Sequence, residues 1–405
     1  MKSIRLRWLI ASVFCLPFTA FASDELLDRI PQVINRATVQ YDTLLKAVGS
    51  DPGLPRTLLP DGSLMCVKAV DWTSGFFPGS LWALYEFTGS QEWKDKAIEF
   101  TNRLESQRHF SGNHDTGFML GSSYGNALRM NPEDASRSVL RDGAAALATR
   151  YLPEIGMIRS WDHKPYICPV IIDNMMNLEL LCWAAKNGGD PKLRDIAISH
   201  ADHTLKNHFR PDGTAYHVVD YDPKTGWIRA YYACQGADVR TAWARGQGWA
   251  LYGFTMMYRE TKKPEYLERA QSLAEVIMAH PNLPADKVPY WDFGAAPGES
   301  TPRDASAAAV MASALVELSQ MVAGEEGAKF LKFARAQMLS LSSPAYLAAA
   351  GTNGGFLLAH STGNLPINSE VDVPLNYADY YFLEALLRYR ALADGKPRVP
   401  FGSLR

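Results

Sequence analysis

The sequence predicts an all-α protein in which pairs of helices repeat along the chain. Apolar residues recur at helical spacing over most of the 405 residues. Turns rich in Gly, Pro and Asp interrupt this pattern, as expected where one helix ends and the next begins. Strand-like patterns are confined to segments such as residues 215–222 and 228–233, which we expect to form a small β-hairpin in a long rim loop.

Four helical hairpins follow directly from this pattern. Each consists of two helical segments joined by a short turn: residues 82–87 with 92–104, 178–185 with 192–207, 249–260 with 265–279, and 305–321 with 327–341. The long helix predicted at 377–393 lacks a following partner, so we pair it with residues 24–48 at the other end of the chain. Pairing the two ends closes a ring, which favours a closed barrel over an open helical solenoid.

The first helix of each pair opens at a polar residue, and six such openings occur: Ser74-Gly75, Thr116-Gly117, Asp173-Asn174, Arg245-Gly246, Arg303-Asp304 and Ala378-Asp379. A helical pair cannot bury its apolar face alone, so six pairs predict an (α/α)6 barrel, a six-hairpin toroid with the β-hairpin in a rim loop. We expect one such domain over residues 23–405. The polar residues at the openings would then converge on one pocket.

The composition is that of a globular protein, with 47% hydrophobic and 21% charged residues. The net charge of −2 supplies no basic field, so we expect no nucleic-acid partner. No phosphate-binding loop, dinucleotide fingerprint or metal-ligand spacing occurs in the sequence, so we expect no cofactor and no metal. A lone His such as His217, in the expected hairpin, is more often structural than catalytic.

The N-terminus has the pattern of a secretory signal peptide. Lys2, Arg5 and Arg7 precede an apolar run over residues 8–22 that ends in Ala20-Phe21-Ala22. We predict a signal peptide at residues 1–22, cleaved before Ser23, because the run is too short for a membrane-spanning helix. The mature chain is expected to be exported without membrane insertion. It keeps four cysteines, Cys66, Cys168, Cys182 and Cys234, which we expect to be buried single thiols, with one disulfide left possible.

Two acids at helix openings are candidates for catalysis. Asp173 stands in an apolar run beside Ile172 and Met175, so its carboxyl should lose solvation, which raises its pKa and suits it to act as a general acid. Asp115, next to His114, is the second candidate. The alternative for both is simple helix capping.

A third cluster combines an arginine with aromatic residues. Gln235 is followed by Trp243, Arg245 and Trp249, with small glycines between them. The arginine offers a planar fork for a carboxylate, and the indole rings could stack on a sugar.

Taken together, these clusters resemble the unsaturated glucuronyl hydrolases, glycoside hydrolase family 88. The resemblance covers nearly all of the mature chain, and five motifs carry it: residues 72–79, 114–118, 173–177, 243–249 and 302–307. It implies an (α/α)6 barrel and a substrate left by polysaccharide lyases, an oligosaccharide whose non-reducing uronate has a C4=C5 double bond. Such enzymes hydrate this double bond instead of attacking the anomeric carbon.

The resemblance also implies roles for individual residues. Asp173 matches the general acid and base, and Asp115 matches a second essential acid that positions groups and tunes charge. The residues expected around the substrate are His114, Trp72, His217, Gln235, Trp243, Arg245 and Trp249, with Arg245 holding the uronate carboxylate. The last helix opening, residues 376–379, departs from the aromatic-Gly-Asp pattern that we associate with the family. The loop before it carries Glu370 and Asp372 without a cation, which argues against a sulfate there.

Three alternatives remain open at this point. A rhamnogalacturonyl hydrolase would share the barrel and the chemistry but act on pectin fragments. A sugar epimerase would need two histidine-type bases, and no such pair stands out. A periplasmic oligosaccharide-binding protein would keep the Trp residues and Arg245 without needing Asp173. We favour a periplasmic hydrolase, monomeric or homodimeric.

Overall fold

Two concentric layers of α-helices make up most of the computed structural model, which describes residues 24–131 and 134–396. The predicted signal peptide, residues 1–22, and its cleavage point before Ser23 lie outside the described residues. The inner helices are α2 (Phe76–Thr88), a π-helical segment (Gly117–Gly125) that continues as α4 (Asn126–Met130), α6 (Asn174–Lys186), α8 (Ala244–Thr261), α10 (Ala305–Leu318) and α12 (Asn376–Ala393). The outer helices are α1 (Glu25–Val48), α3 (Gln91–Asn102), α5 (Asp134–Ala148), α7 (Lys192–Asn207), α9 (Pro264–Ala279) and α11 (Gly324–Leu341).

The inner helices form a closed ring. Each contacts the next, from α2 through the π-helical segment, α6, α8, α10 and α12 and back to α2. They are buried on almost every face, and in α10 every residue from Ala305 to Val316 is buried. A helix that is apolar all round must lie inside the molecule, whereas α1 buries only a stripe that starts Leu26, Ile30 and Val33. The predicted (α/α)6 barrel is therefore the observed fold.

The two ends of the chain meet, as the sequence predicted. Asp24, at the start of α1, accepts hydrogen bonds from Tyr389 Oη of α12 (2.5 Å) and from Arg335 Nε of α11 (2.9 Å). The same carboxylate caps α1 by accepting from the Leu26 N–H. A side-chain hydrogen bond therefore joins the first helix, in the outer layer, to the last helix, in the inner ring.

Glycine sets how closely the inner helices approach each other on the side of the barrel that carries the candidate acids. A Cβ atom at Gly117 would lie 2.6 Å from the Cα of Asn177 in α6, so only glycine fits there. The next residue, Phe118, donates its N–H to Asn177 Oδ1 at 2.8 Å. This contact fixes the π-helical segment against the first turn of α6.

Strands fill the loops at the rim in four small antiparallel sheets. They pair β1 (Leu54–Leu58) with β2 (Leu64–Val67), β3 (Tyr151–Leu152) with β4 (Met157–Ile158), β5 (Pro169–Ile171) with β6 (Val218–Tyr221) and β7 (Ile228–Tyr232), and β8 (Ser361–Asn364) with β9 (Ser369–Val373). The predicted hairpin is β6–β7, and the other small sheets are additions that the sequence analysis did not locate. Strands β3, β4 and β5 have only two or three residues, which is too short to give a period-two signal.

Some details of the helices also differ from the expectation. The outer helix α5 was not assigned from the sequence, and the opening at Thr116 leads into a π-helical segment instead of an α-helix. That segment is rich in Gly and Ser, residues with weak α-helical preference. Within residues 24–131 and 134–396, no helix is long and apolar enough to cross a membrane. Cys168 and Cys182 are buried free thiols as predicted, whereas Cys66 and Cys234 are only half-buried.

Candidate active site

A short sheet brings Asp173 and His217 together at the barrel rim. Strand β5 ends at Ile171, two residues before Asp173, and pairs with β6, which begins one residue after His217. The Ile172 N–H donates to the His217 carbonyl at 3.0 Å, so the two side chains are held at the same level. Asp173 Oδ2 lies 3.5 Å from His217 Nε2.

The carboxyl of Asp173 is buried and unsatisfied. Asp173 is 7% exposed, and its Oδ2 atom has no hydrogen-bond partner among the described residues. It stands at the N-cap position of α6 but makes no capping bond with its side chain, so the capping alternative fails here. Burial raises its pKa to about 7, although the positive charge of Arg245 acts in the opposite direction. The predicted desolvation of this acid is therefore present.

His217 faces Asp173 as a neutral ring. Burial lowers its pKa to about 3, so it carries no charge near neutral pH. Its Nδ1 atom is 2.9 Å from the Ala233 carbonyl and 3.1 Å from the Gln235 N–H. If Nδ1 accepts from Gln235, Nε2 carries the proton and points it at Asp173; if Nδ1 donates to Ala233, Nε2 is an acceptor instead.

Asp115 and His114 form a second buried group beside Asp173. His114 Nε2 lies 3.3 Å from Asp115 Oδ1, and burial lowers the pKa of His114 to about 3. The pKa of Asp115 is raised well above its usual range by burial and by the negative charges of Asp173 and Asp71. The two acids are therefore close enough for the charge of Asp173 to favour the neutral form of Asp115.

The backbone explains why these two acids meet. Asp115 is two residues before Gly117, and Asp173 is one helical turn before Asn177, the residue against which Gly117 packs. Ser160 ties the same region together, because its carbonyl accepts from the His114 N–H (3.0 Å) and its Oγ accepts from the Ile171 N–H (3.0 Å).

The positive charge of Arg245 acts on Asp173. Its guanidinium group, however, is not free to bind a substrate carboxylate. Its Nη1 atom donates to Asp304 Oδ2 and to the Thr362 carbonyl, and its Nη2 atom donates to the Gly363 carbonyl, all at 2.6 Å. Only Nε lacks a partner among the described residues. The predicted grip on a uronate carboxylate does not fit this geometry, because both terminal nitrogens already hold Asp304 and strand β8.

The three tryptophans predicted around the substrate differ in how much of their surface is exposed. Trp72 is half-buried and packs against Phe118 and Tyr377, with ring centroids 5.5 and 5.0 Å away. Trp243 lies under His217, at a centroid distance of 4.3 Å, and is 3% exposed. Trp249 has no exposed surface and packs behind Phe118, so it supports the site from the core instead of forming an open wall.

Gln235 is held by the ring of His217 on one side and by a backbone carbonyl on the other. Its N–H donates to His217, and its side-chain Nε2 donates to the Gly363 carbonyl at 3.0 Å. Gly363 therefore receives bonds from both Gln235 and Arg245, which fixes strand β8 over this edge of the site.

Sequence reasoning missed several residues that build the site. Arg56 of β1 binds both carboxylate oxygens of Glu370 (2.6 and 2.8 Å) and also Asp71, whose charge acts on Asp115. The acids of the β8–β9 loop are therefore not free: Glu370 pairs with Arg56, and Asp372 pairs with His360 at 2.6 Å. No local pattern links Arg56 to residues more than 300 positions away, so only the ring closure reveals these contacts.

The six helix openings do not all contribute to one pocket, contrary to expectation. Asp379 instead accepts the N–H groups of Leu357 and Leu358, both at 2.8 Å, and fixes that loop. Arg303 bonds to Asp286 and the Val288 carbonyl. Tyr377, in the same last opening, does join the site, and its buried hydroxyl has no partner in the described part of the chain.

A separate cavity of about 410 Å³ lies further along the inner helices and contains none of the predicted site residues. Its charged groups neutralise one another, since Arg259 binds Glu179 and Glu317, and Arg388 binds Glu317. In residues 24–131 and 134–396 no cluster of three His, Cys, Asp or Glu side chains could hold a metal.

Comparison with known proteins identifies the class to which this site belongs. The model of Glycosyl Hydrolase Family 88 matches residues 61–382, so the chain belongs to that family. An unsaturated glucuronyl hydrolase of Formosa agariphila is 46% identical over 329 residues, covering 80% of this chain and 82% of the relative. One from a Bacillus species is 32% identical and covers 78% of this chain and 86% of the relative.

Solved structures agree with this assignment. An unsaturated glucuronyl hydrolase described as specific for heparin superposes with a TM-score of 0.87 at 46% identity, covering 91% of this chain and 98% of that one. One from Streptococcus agalactiae gives a TM-score of 0.83 at 27% identity, covering 89% and 92%. The resemblance inferred from the motifs is confirmed: the protein is an enzyme, a glycoside hydrolase of the unsaturated glucuronyl hydrolase type.

Proposed function

We propose that Asp173 is the general acid and base that hydrates the C4=C5 bond of a non-reducing-end unsaturated uronate. The observation that carries this proposal is the buried Asp173 carboxyl, with an unpartnered Oδ2 and a pKa raised to about 7. A carboxyl with such a pKa can give up a proton and take one back within a single cycle near neutral pH.

In the proposed reaction, Asp173 gives its proton to C4, and positive charge develops at C5 and the ring oxygen. Water then adds at C5, and the carboxylate of Asp173 accepts one proton from it, which regenerates the acid. The product is a hemiketal at C5. Its ring opens by breaking the bond between C5 and the ring oxygen, and the remaining sugar is then expelled from C1.

Asp115, His114 and His217 act in this proposal as positioning residues around Asp173. The neutral ring of His217 sits 3.5 Å from the reacting carboxyl and can orient it without adding charge. Asp115 favours its neutral form beside Asp173, because desolvation and the negative charge of Asp173 both raise the pKa of Asp115.

Arg245 stabilises the site through its positive charge and through its hydrogen bonds to Asp304 and strand β8. Its positive charge favours the carboxylate form of Asp173, which is the form needed when water is activated. Its bonds to Asp304 and β8 hold the rim strand in place. Trp72, half-buried beside Phe118 and Tyr377, is the indole placed to contact the uronate ring.

The substrates that we propose are unsaturated oligosaccharides produced by lyases from acidic polysaccharides. Because a relative at 46% identity is described as specific for heparin, heparin-derived products are the first to test. A sulfate near the β8–β9 loop meets less repulsion than the sequence suggested, since Arg56 neutralises Glu370. We further propose that the enzyme is exported, on the basis of the signal-peptide pattern in residues 1–22, and acts in the periplasm as a monomer or homodimer.

The test uses the absorbance of the substrate's own conjugated alkene. Wild-type protein and Asp173→Asn are mixed with unsaturated disaccharides from heparin, chondroitin, ulvan and pectin, and binding is measured in parallel by calorimetry. We expect the wild type to remove the absorbance of at least one of the first three substrates. The Asp173→Asn variant should still bind that substrate without consuming it. Turnover of the pectin product alone would support a rhamnogalacturonyl hydrolase instead, and equal turnover by Asp173→Asn would overturn the role of Asp173.

A further inference from the structure

A row of aromatic rings that the proposed chemistry does not use runs outward from the site. We call it the rim wall and define it as Trp161, His163, Tyr166 and Tyr232. Trp161 and His163 are stacked with ring centroids 5.2 Å apart and planes 5° from parallel. Tyr166 meets Trp161 edge-on at 5.6 Å, and Tyr232 meets Tyr166 edge-on at 5.0 Å. His163 is exposed and the other three are half-buried, so the rings keep surface open to solvent.

The inner end of the rim wall touches the candidate active site through Trp161. Trp161 packs edge-on against His114, at a centroid distance of 6.4 Å. The wall therefore begins beside His114 and leads away from it.

The loop that carries most of the rim wall is held at both ends. Asp162 binds Arg150 (3.0 Å) and Arg159 (2.9 Å) at one end. At the other end, Asp220 Oδ1 accepts the N–H groups of Ile167 (3.0 Å) and Cys168 (2.7 Å). A surface fixed in this way loses little entropy when a ligand settles on it.

Charge distinguishes the loop that carries the rim wall from the β8–β9 loop. The groups that belong to or anchor the wall loop are four cations and two acids: Arg150, Arg159, Lys164 and Arg229 with Asp162 and Asp220. Around the β8–β9 loop the balance is reversed, with Arg56 and a histidine facing three acids: Asp71, Glu370 and Asp372. A polyanionic sugar chain is therefore drawn toward the rim wall.

We propose that the outer rim wall, Tyr166, His163 and Tyr232, binds the third sugar of the substrate, so that the enzyme prefers unsaturated oligosaccharides longer than disaccharides. This inference rests on the proposed function, because it assumes that the unsaturated uronate sits at Asp173 and the chain leaves through the rim. Sugar faces pack on aromatic rings, and edge-on pairs leave one ring face open for such packing.

The experiment compares kcat/KM for unsaturated disaccharides and tetrasaccharides prepared from one lyase digest. We expect the wild type to favour the tetrasaccharide roughly five- to tenfold, which is the size of one aromatic contact. Tyr232→Ala should abolish this preference by raising KM for the tetrasaccharide, while kcat/KM for the disaccharide stays unchanged.

Tyr231→Ala is the matched control, since Tyr231 lies in the same strand but stacks on Tyr216, with centroids 4.2 Å apart. It should leave the length preference intact. Equal kcat/KM for both lengths in the wild type would overturn the rim-wall inference alone, without needing any variant to fold. A loss of disaccharide turnover in Tyr232→Ala equal to the loss for the tetrasaccharide would also overturn it. If the wild type consumed neither length, the proposed function would fail and this inference with it.

Discussion

Position 173 holds a carboxyl group that the fold buries without giving Oδ2 a hydrogen-bond partner in the described part of the chain. A buried acid usually gains hydrogen bonds or a cation in direct contact, because an unsatisfied polar group costs about 1–3 kcal/mol. Here two effects oppose each other. The positive charge of Arg245 favours the carboxylate, whereas burial favours the neutral acid and has the larger effect. The result is a group that can exist in both forms near neutral pH, which an acid and base catalyst requires.

The rate should therefore depend on pH through Asp173. Its pKa is raised from 3.8 to about 7, so the acid form needed for the first step is populated below pH 7 and is lost as the pH rises. We expect kcat/KM to be level in mildly acidic solution and to fall about tenfold per pH unit above about pH 7. His114 and His217 do not contribute to this pH dependence, because their pKa values of about 3 keep them neutral throughout this range. A profile that stays level to about pH 9 would contradict this assignment.

The site is built by loops and strands whose positions the inner helices fix. Strand β5 places Asp173 beside His217, and strand β8 supplies the two carbonyl groups that hold Arg245. Asp304 links these parts, because it caps α10 through the Ser306 N–H and also binds Arg245. One carboxylate therefore supports both a helix end and the rim strand.

Breaking that link should destabilise the fold. In Asp304→Asn the cap is partly retained, but Arg245, which is 1% exposed, loses its only carboxylate partner among the described residues. Leaving a buried charge unpaired costs about 3 kcal/mol, which we expect in the free energy of unfolding from urea titration. Asp238→Asn is the control: it breaks an exposed ion pair with Arg240 and should leave the unfolding curve unchanged. Equal curves for the two variants would show that the Arg245–Asp304 pair contributes nothing.

The contact between the π-helical segment and α6 gives a second prediction for these elements. In Gly117→Ala, the new methyl group would lie 2.6 Å from Asn177, so the segment must move away from α6. Alanine gains about 1 kcal/mol from helical preference, whereas overpacking costs about 1–3 kcal/mol, so a net loss of stability is expected. Activity should fall as well, because Asp115 lies only two residues upstream.

Gly298→Ala provides the comparison for this substitution. Its methyl group would meet only Thr301 Oγ1 at 3.5 Å, an ordinary contact, so both stability and kcat/KM should remain at the wild-type values. If Gly117→Ala kept full activity, the close approach of the two segments would not be what positions Asp115.

Across the whole molecule, the helical repeat and its closure could be predicted from the sequence because they rest on local patterns. The turns and apolar spacing predicted five of the six outer helices and all six openings, and the Asp24–Tyr389 contact bears out the pairing of the chain ends. Contacts between distant loops could not be predicted in this way. The Arg56–Glu370 pair and the bonds from Arg245 to β8 depend on how the rim loops fold over the openings.

The same distinction explains the outcome for the site. The burial of Asp173 could be predicted because its apolar neighbours adjoin it in sequence, while its catalytic role stays a prediction. The sequence predicted a uronate carboxylate as the partner of Arg245, and this was wrong. Its guanidinium group binds Asp304, which lies 59 residues later in the chain and is not visible in the local pattern. Trp249 was expected around the substrate, but its side chain on helix α8 faces the core.

The proposed export of the protein makes a prediction at the scale of the entire chain. Expression of all 405 residues in a Gram-negative host should give a periplasmic protein whose N-terminus is Ser23, because the leader would be removed after Ala22. Mass spectrometry of the purified protein and cell fractionation measure this together. A cytoplasmic protein that retains Met1–Ala22 would contradict the proposed location.

The central claim, that Asp173 acts on the double bond and not on the anomeric carbon, is tested most directly by timing. Alkene absorbance and release of the reducing-end sugar are followed together in one reaction with wild-type enzyme. Hydration predicts that the loss of absorbance never lags behind sugar release, and that Asp173→Asn stops both. Sugar released while the absorbance persists would mean that the glycosidic bond is cleaved first, which would contradict the account.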